Sequence, residues 1–213
     1  SNILKKNKSD YLFVSAPENV AWLLNIRGYD NPNSPIPNCR LLINKNKKFF
    51  LITEMFKAKI LLKEKKIKKK QIINPSKLAS FIQNFKDKKI IIDRKTCSLF
   101  NECLLKKRFK ILKKNDPIYL LKSKKNKNEI QNMINSHILD GVALTKFLHW
   151  MKKTNKEKIS EFDAQNKLEK FRKKNKKYLY PSFNTIAGTG PNGAIVHYRA
   201  TKKNAKIIKK SDI

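Results

Sequence analysis

The sequence predicts an α/β protein in two parts: a mixed sheet with flanking helices over residues 1–122, then the opening helices and a hairpin of an α+β domain over residues 123–213. Three observations carry this expectation. Between residues 11 and 112, short β-prone runs alternate with helical stripes, the pattern of a layered α/β domain. From about Asn128 a long series of apolar residues recurs at helical spacing. Near the end, two β-prone runs, 182–187 and 194–199, flank Gly188-Thr-Gly-Pro-Asn-Gly193, which reads as a hairpin turn.

Taken in order, Tyr11-Leu-Phe-Val-Ser-Ala reads as a buried strand. A short helix over 17–26 follows, with Pro17 suited to its first turn. Residues 27–37 hold three prolines and read as a loop. Runs 39–43 and 48–53 flank Asn44-Lys-Asn-Lys and suggest a hairpin. Residues 54–66 read as helical, with Phe56, Ile60 and Leu61 at helical spacing. The alternation then continues: strand 71–73, helix 75–85, strand 89–93, helix 98–107, strand 109–112. Asp116-Pro-Ile-Tyr-Leu-Leu reads as an exit segment, and the polar run from Ser123 sets the domain boundary. Ile130, Met133, Ile134, Ile138, Leu144, Leu148 and Met151 then line one stripe of a long helix. A break is expected over 152–158. Ser160 reads as the N-cap of a second helix, with Glu161 and Asp163 facing the helix dipole and Leu168 and Phe171 anchoring it.

Composition bounds the function classes. With 213 residues and 40% hydrophobic content, the chain can bury a core. No apolar run approaches bilayer length, and the first residues lack a signal-peptide core. The first Met is Met55, so the start reads as a cut end. Net charge is +34, yet only six of the 50 basic residues are Arg. Nucleic-acid surfaces favour Arg forks and stacking aromatics. Here Lys rises with Asn and Ile along the whole chain, as A/T-rich codons would produce. Nucleic acid is therefore expected to bind only non-specifically, by counterion release. Three cysteines without a CxxC, Cys39, Cys97 and Cys103, indicate neither a disulfide framework nor a thiolate zinc site, and suit a reduced, cytoplasmic compartment. Cys97 and Cys103 are expected on one helix.

Three histidines are available for chemistry. His137 and His149 fall on the long helix with no HExxH or HxH spacing, and read as structural or surface residues. His197 differs: it lies beyond the glycine-rich turn, beside Tyr198 and Arg199. On chemistry alone it is either an ordinary strand histidine or a functional one. After the boundary the carboxylates are Glu129, Asp140, Glu157, Glu161, Asp163, Glu169 and Asp212, and none has a spacing that assembles a metal cage with a histidine. The glycine turn lacks the Gly-Lys-Ser/Thr ending of a phosphate loop, and no G-x-S-x-G elbow is present.

Several segments together resemble a known family. Ile159-Ser-Glu-Phe-Asp-Ala-Gln-Asn-Lys-Leu-Glu-Lys-Phe-Arg172, Pro181-Ser-Phe-Asn-Thr-Ile-Ala-Gly and Gly190-Pro-Asn-Gly-Ala-Ile-Val-His-Tyr-Arg199 resemble the opening of the pita-bread catalytic domain of Xaa-Pro aminopeptidases. His137-Ile-Leu-Asp-Gly-Val-Ala-Leu-Thr-Lys-Phe-Leu resembles the helix leading into it. Pro17-Glu-Asn-Val-Ala-Trp-Leu-Leu-Asn-Ile-Arg-Gly-Tyr-Asp resembles the second, creatinase-type domain of three-domain members.

The resemblance implies a metal-dependent exopeptidase that removes the first residue when proline is second. It implies two divalent ions, usually manganese, held by two Asp, one His and two Glu, and a homodimer acting on Xaa-Pro peptides in the cytoplasm. It implies that His197 hydrogen-bonds the substrate or tetrahedral intermediate, or moves a proton, and that Phe183 lines the substrate pocket. By the family pattern the first metal-binding Asp follows a strand that would begin at Asp212-Ile213. The chain is therefore expected to be a fragment, without the first domain and without metal ligands, that binds no metal and is inactive alone. The alternative is a metal-free pita-bread relative that binds peptide, histone or nucleic acid. A prolidase or creatinase is a third possibility, against which the loop over 27–37 weighs.

Overall fold

The computed structural model describes residues 2–154, 158–209 and 212. The chain divides into two compact units, Ser1–Lys124 and Lys125–Ile213.

The first unit is built on β1 (Tyr11–Val14), β2 (Arg40–Asn44), β3 (Phe49–Ile52), β4 (Ile72–Ile73), β5 (Lys88–Ile92) and β6 (Phe109–Lys113). They form one mixed sheet in the order β4-β3-β2-β1-β5-β6. β1 to β3 run antiparallel to their neighbours in the series; β1–β5, β5–β6 and β3–β4 are parallel. Alternation along the strands explains why both faces are covered. Phe13, Leu42, Ile52, Ile90 and Ile92 point to one side; Leu12, Val14, Leu41, Leu51 and Ile91 point to the other. The first face is closed by Leu78 and Ile82 of α4 (Leu78–Ile82) and Leu105 of α5 (Leu99–Lys106). The second is closed by Leu4 of α1 (Asn2–Lys6), Val20 of α2 (Pro17–Leu24) and Ile118 of α6 (Pro117–Ser123). Each fully buried Ile or Leu contributes roughly 1.5–3 kcal/mol relative to exposure, so the Ile90-Ile-Ile92 run is a main source of cohesion.

Several elements differ from expectation. Residues 54–66 are not one helix but a 3₁₀ turn, Met55–Ala58, followed by α3 (Lys59–Lys63). Ala58 is the buried residue there, while Phe56 is 61% exposed, so the inward stripe does not run through Phe56. Residues 75–85 shorten to a 3₁₀ turn, Pro75–Lys77, and α4, with Asn74 as cap. Cys97 lies just outside α5, before the N-cap Ser98; Cys103 is on the helix and exposed. The exit segment is a helix, α6, because Asp116 caps it and Pro117 opens it. Helix α1 was not anticipated.

The unit also buries polar groups at the carboxyl ends of β1 and β5. Asn19 is 0% exposed. Its Nδ2 donates to Asp116 Oδ2 at 2.8 Å, and its Oδ1 accepts from Lys122 Nζ at 2.7 Å. Asp116 Oδ1 accepts from the Ile118 N–H at 2.9 Å, and the Asp116 N–H donates to Asp93 Oδ2 at 2.7 Å. Burial pushes the Asp116 carboxyl up, against the pull of the Ile118 and Asn19 hydrogen bonds.

The second unit holds α7 (Lys127–Lys153) and α8 (Glu161–Lys173). Asn126 and Glu129 form a capping box at the start of α7, and Ser160 and Asp163 form one on α8. Arg172 on α8 grips Asp140 on α7 bidentately, Nε at 2.7 Å and Nη2 at 3.1 Å. Lys167 lies 5.0 Å over the Trp150 ring. The apolar stripe of α7 is present, but Ile130, Met133, Ile134, Ile138, Leu144 and Leu148 are exposed and only Ala143 is buried. Of the expected break over 152–158, residues 155–157 lie outside the described residues, as do Glu157 and Ile213.

The hairpin is corrected. Among the described residues, 182–187 and 194–199 form no strands. Instead Gly190–Ala194 is a 3₁₀ turn, and the remaining backbone is irregular. A two-stranded hairpin is marginal on its own, and here the polar groups of the turn have a better partner in α8.

Candidate functional site

The loop that carries His197 is organised by one carboxylate. Glu161, first residue of α8, is 1% exposed. Its Oε1 accepts from the Thr189 N–H at 2.7 Å and from Asn192 Nδ2 at 3.0 Å. Its Oε2 accepts from the Tyr198 hydroxyl at 2.7 Å, the Lys206 N–H at 2.9 Å and Asn192 Nδ2 at 3.1 Å. Asn192 Nδ2 also reaches the Tyr198 hydroxyl oxygen at 3.0 Å. Backbone bonds add to this clamp: Glu161 N–H to Lys206 C=O at 3.0 Å and Ile208 N–H to Ile159 C=O at 2.9 Å. Thr189 Oγ1 donates to Asp212 Oδ2 at 2.6 Å, which ties in the far end of the segment.

The electrostatics follow from this geometry. Burial alone would raise the Glu161 carboxyl; the Lys206 N–H, the Tyr198 hydroxyl, the Thr189 N–H and the Asn192 amide outweigh it and hold the group below its ordinary range. Tyr198 is pushed up to about 12, by burial first and then by its hydrogen bond to the Glu161 carboxylate.

Two glycines make the turn possible. A Cβ on Gly188 would lie 2.9 Å from the Asn192 carbonyl oxygen, and Gly190 has φ of +51°. The chain then reaches a four-residue turn closed by the Tyr198 N–H on the Ile195 C=O at 3.2 Å. His197 occupies its third position with φ of +56°, left-handed backbone that costs a non-glycine residue about 1 kcal/mol. Its side chain is exposed, while the next side chain, Tyr198, is buried.

Phe183 is 65% exposed on the incoming arm of the same segment. No hydrogen bond or ring contact joins it to His197 among the described residues. His137 Nδ1 lies 2.8 Å from the Met133 carbonyl oxygen on the exposed side of α7, and His149 borders a shallow hollow with Trp150 and Phe171. Sequence reasoning missed Thr189, Asn192 and Tyr198 as partners and gave Glu161 only a dipole role. A signal was present: with Ser160 as cap, Asp163 already completes the box, which leaves Glu161 free for another task.

Among the described residues, no three His, Cys, Asp or Glu side chains converge in a way that could hold a metal ion. The described residues therefore do not make a metal cage.

A mixed sheet covered on both faces, followed by a long helix, a capped second helix and a histidine-bearing loop, is the frame of a creatinase-type protein. Residues 1–129 match the creatinase/prolidase N-terminal domain, and the chain belongs to that family. Residues 131–213 match metallopeptidase family M24. Among individual proteins, the chain is 35% identical to Xaa-Pro aminopeptidase 1 of Dictyostelium discoideum, over 97% of this chain and 34% of that protein. It is 33% identical to Xaa-Pro aminopeptidase ApepP of Drosophila melanogaster, over 99% of this chain and 35% of that protein. The chain thus spans about a third of the length of these relatives.

Solved structures agree on the fold. The X-prolyl aminopeptidase of Caenorhabditis elegans, described as a cytosolic enzyme with a di-nuclear active site, superposes with a TM-score of 0.79 at 24% identity, covering 93% of this chain and 34% of that one. The prolidase of Pyrococcus horikoshii OT3 gives 0.71 at 20% identity, covering 99% and 56%. The expected fold class, a creatinase-type mixed sheet leading into the pita-bread domain, is met.

Proposed function

We propose that this chain is part of a metal-dependent Xaa-Pro aminopeptidase, which releases the first residue of peptides with proline second. The observation that supports this most is the tandem match, creatinase N-terminal domain then M24, along which Xaa-Pro aminopeptidases align over nearly the whole chain. In this reading residues 1–122 are the second domain of a three-domain enzyme and residues 123–213 begin the catalytic domain. His197 meets the substrate or the tetrahedral intermediate, by hydrogen bond or proton transfer. Phe183 contributes apolar surface to the peptide pocket.

Two divalent ions, manganese in this proposal, would polarise the scissile carbonyl and activate a water when bound. Their ligands are assigned to residues other than those described here. We further propose a homodimer working in the cytoplasm; the cytosolic C. elegans relative supports the location. No helix among the described residues is long and apolar enough to cross a membrane.

The test is hydrolysis of a Xaa-Pro-Pro tripeptide by the complete gene product supplied with Mn²⁺, with Xaa-Ala-Pro as control. Release of the first residue from the proline peptide alone is expected. Equal cleavage of both peptides, or of neither, overturns the reading. Residues 1–213 by themselves are expected to release nothing; metal-dependent turnover by that polypeptide would overturn the assignment of the metal ligands elsewhere.

A further inference from the structure

We propose that Glu161 is the positioning residue for His197, and that only a carboxylate can fill the role. The proposal rests on the reading of His197 as the active-site imidazole.

The argument begins with donor and acceptor chemistry. Every partner of Glu161 is a donor: two backbone N–H groups, one amide NH₂ and one hydroxyl. Donors face both oxygens. An ionised carboxylate is acceptor-only on both sides and satisfies all of them. A glutamine of the same shape has an acceptor on one side only. In either flip its NH₂ meets a fixed backbone donor, Thr189 N–H on one side or Lys206 N–H on the other. The site therefore selects charge, not merely size. It is also closed to solvent, so a lost bond is not replaced by water.

The pins bracket the histidine. Thr189 and Asn192 hold the chain before it, and Tyr198 and Lys206 hold it after. Tyr198 is the adjacent residue, and its N–H closes the turn that places His197 in left-handed backbone. Withdrawing the Tyr198 hydroxyl from Glu161 frees that turn to relax, and the imidazole moves with it. A reacting group displaced by about 1 Å can cost about 100-fold in rate. Glu161 touches no reacting atom; it acts through the loop.

The experiment compares Glu161→Gln, Tyr198→Phe and His197→Ala with the wild type, in the complete gene product with Mn²⁺. Tyr198→Phe removes a single donor and guards against a misfolded Glu161→Gln protein. Three quantities are read: kcat and KM on a Xaa-Pro-Pro peptide, the pH profile of kcat, and hydrogen exchange at the Thr189 and Lys206 amides. Glu161→Gln is expected to speed exchange at least about 10-fold at the Thr189 or the Lys206 amide, whichever faces the glutamine NH₂. It should lower kcat by about 10- to 100-fold and alter the shape of the pH profile of kcat. Tyr198→Phe should give a smaller change of the same kind with the protein fully folded. If His197→Ala is inactive while Glu161→Gln and Tyr198→Phe keep the wild-type kcat and pH profile, the proposal is overturned and the reading of His197 stands. If His197→Ala is fully active, the reading of His197 fails, and the proposal fails with it.

Discussion

Asp116→Ala tests the account of the first unit most directly. The substitution removes two roles at once. Asp116 Oδ1 caps α6 through the Ile118 N–H, and losing such a cap costs about 1 kcal/mol. Asp116 Oδ2 receives the Asn19 amide, which is fully buried; leaving that donor unsatisfied costs about 1–3 kcal/mol. The sum is about 2–4 kcal/mol. For the unit Ser1–Lys124 this lowers the midpoint of thermal unfolding by roughly 8–16 °C. Asp116→Asn keeps a good cap but turns an amide toward Asn19, so about half the loss is expected. pH adds a second constraint. The folded pKa of Asp116 is raised above the 3.8 of an unperturbed Asp, so its favourable share is present below that pH and fades as pH rises through the folded value. The gap between wild type and Asp116→Ala should therefore be widest in acid and narrow toward neutrality. Circular dichroism melts across that range measure both. A loss under about 1 kcal/mol at all pH values would refute the claim that the Asp116 carboxyl group ties α2 to the start of α6.

Other outcomes follow from the same structure. Ser160→Ala should cost about 1 kcal/mol and reduce α8 helicity, because Ser160 Oγ accepts from the Asp163 N–H at 3.1 Å; a chemical denaturation series reads it. Glu161 has a folded pKa below its ordinary 4.5, so its stabilisation is present above that pH and is lost as pH falls through the folded value; acid unfolding of the second unit should be shallower in Glu161→Gln, as tyrosine fluorescence would report. A thiol titration of the native chain should find one fast group, exposed Cys103, while Cys97 and Cys39, pushed up to about 11 and about 12 chiefly by burial, react only on unfolding. Ile92→Ala, at the fully buried end of β5, should destabilise the first unit by about 2–5 kcal/mol, measured by urea unfolding.

The layered unit was legible because its strands carry their own signal. Ile90, Ile91 and Ile92 are all buried, two toward one cluster and one toward the other, so a continuous apolar run marks a strand covered on both faces. The helices were less legible where tertiary burial overrode spacing. Residues 54–66 read as one helix from Phe56 and Ile60, yet both are exposed, and Ala58, a small residue with little weight in any pattern, faces the core. Helix α6 had its start written in Asp116-Pro117, but its seven residues are too few to show a period.

The site was legible as a segment and not as a network. His197 and Phe183 stood out by resemblance, but the contacts that shape their loop span 28 to 45 positions from Glu161. No local pattern reports a bond of that range. The strand reading of 194–199 also had a hidden cost. A regular strand would send His197 and Tyr198 to opposite faces, which suits one exposed and one buried side chain. It would equally demand a ladder partner for every N–H, and the Tyr198 N–H is instead spent on Ile195 while the loop's other polar groups converge on Glu161. The backbone of 194–199 departs from the expected strand: one side chain in, the next out, is achieved here by a left-handed residue at a turn. Any strand that later forms across 194–199 must carry the Tyr198–Glu161 bond with it or break it, and the buried carboxylate would then lose one of its four partners.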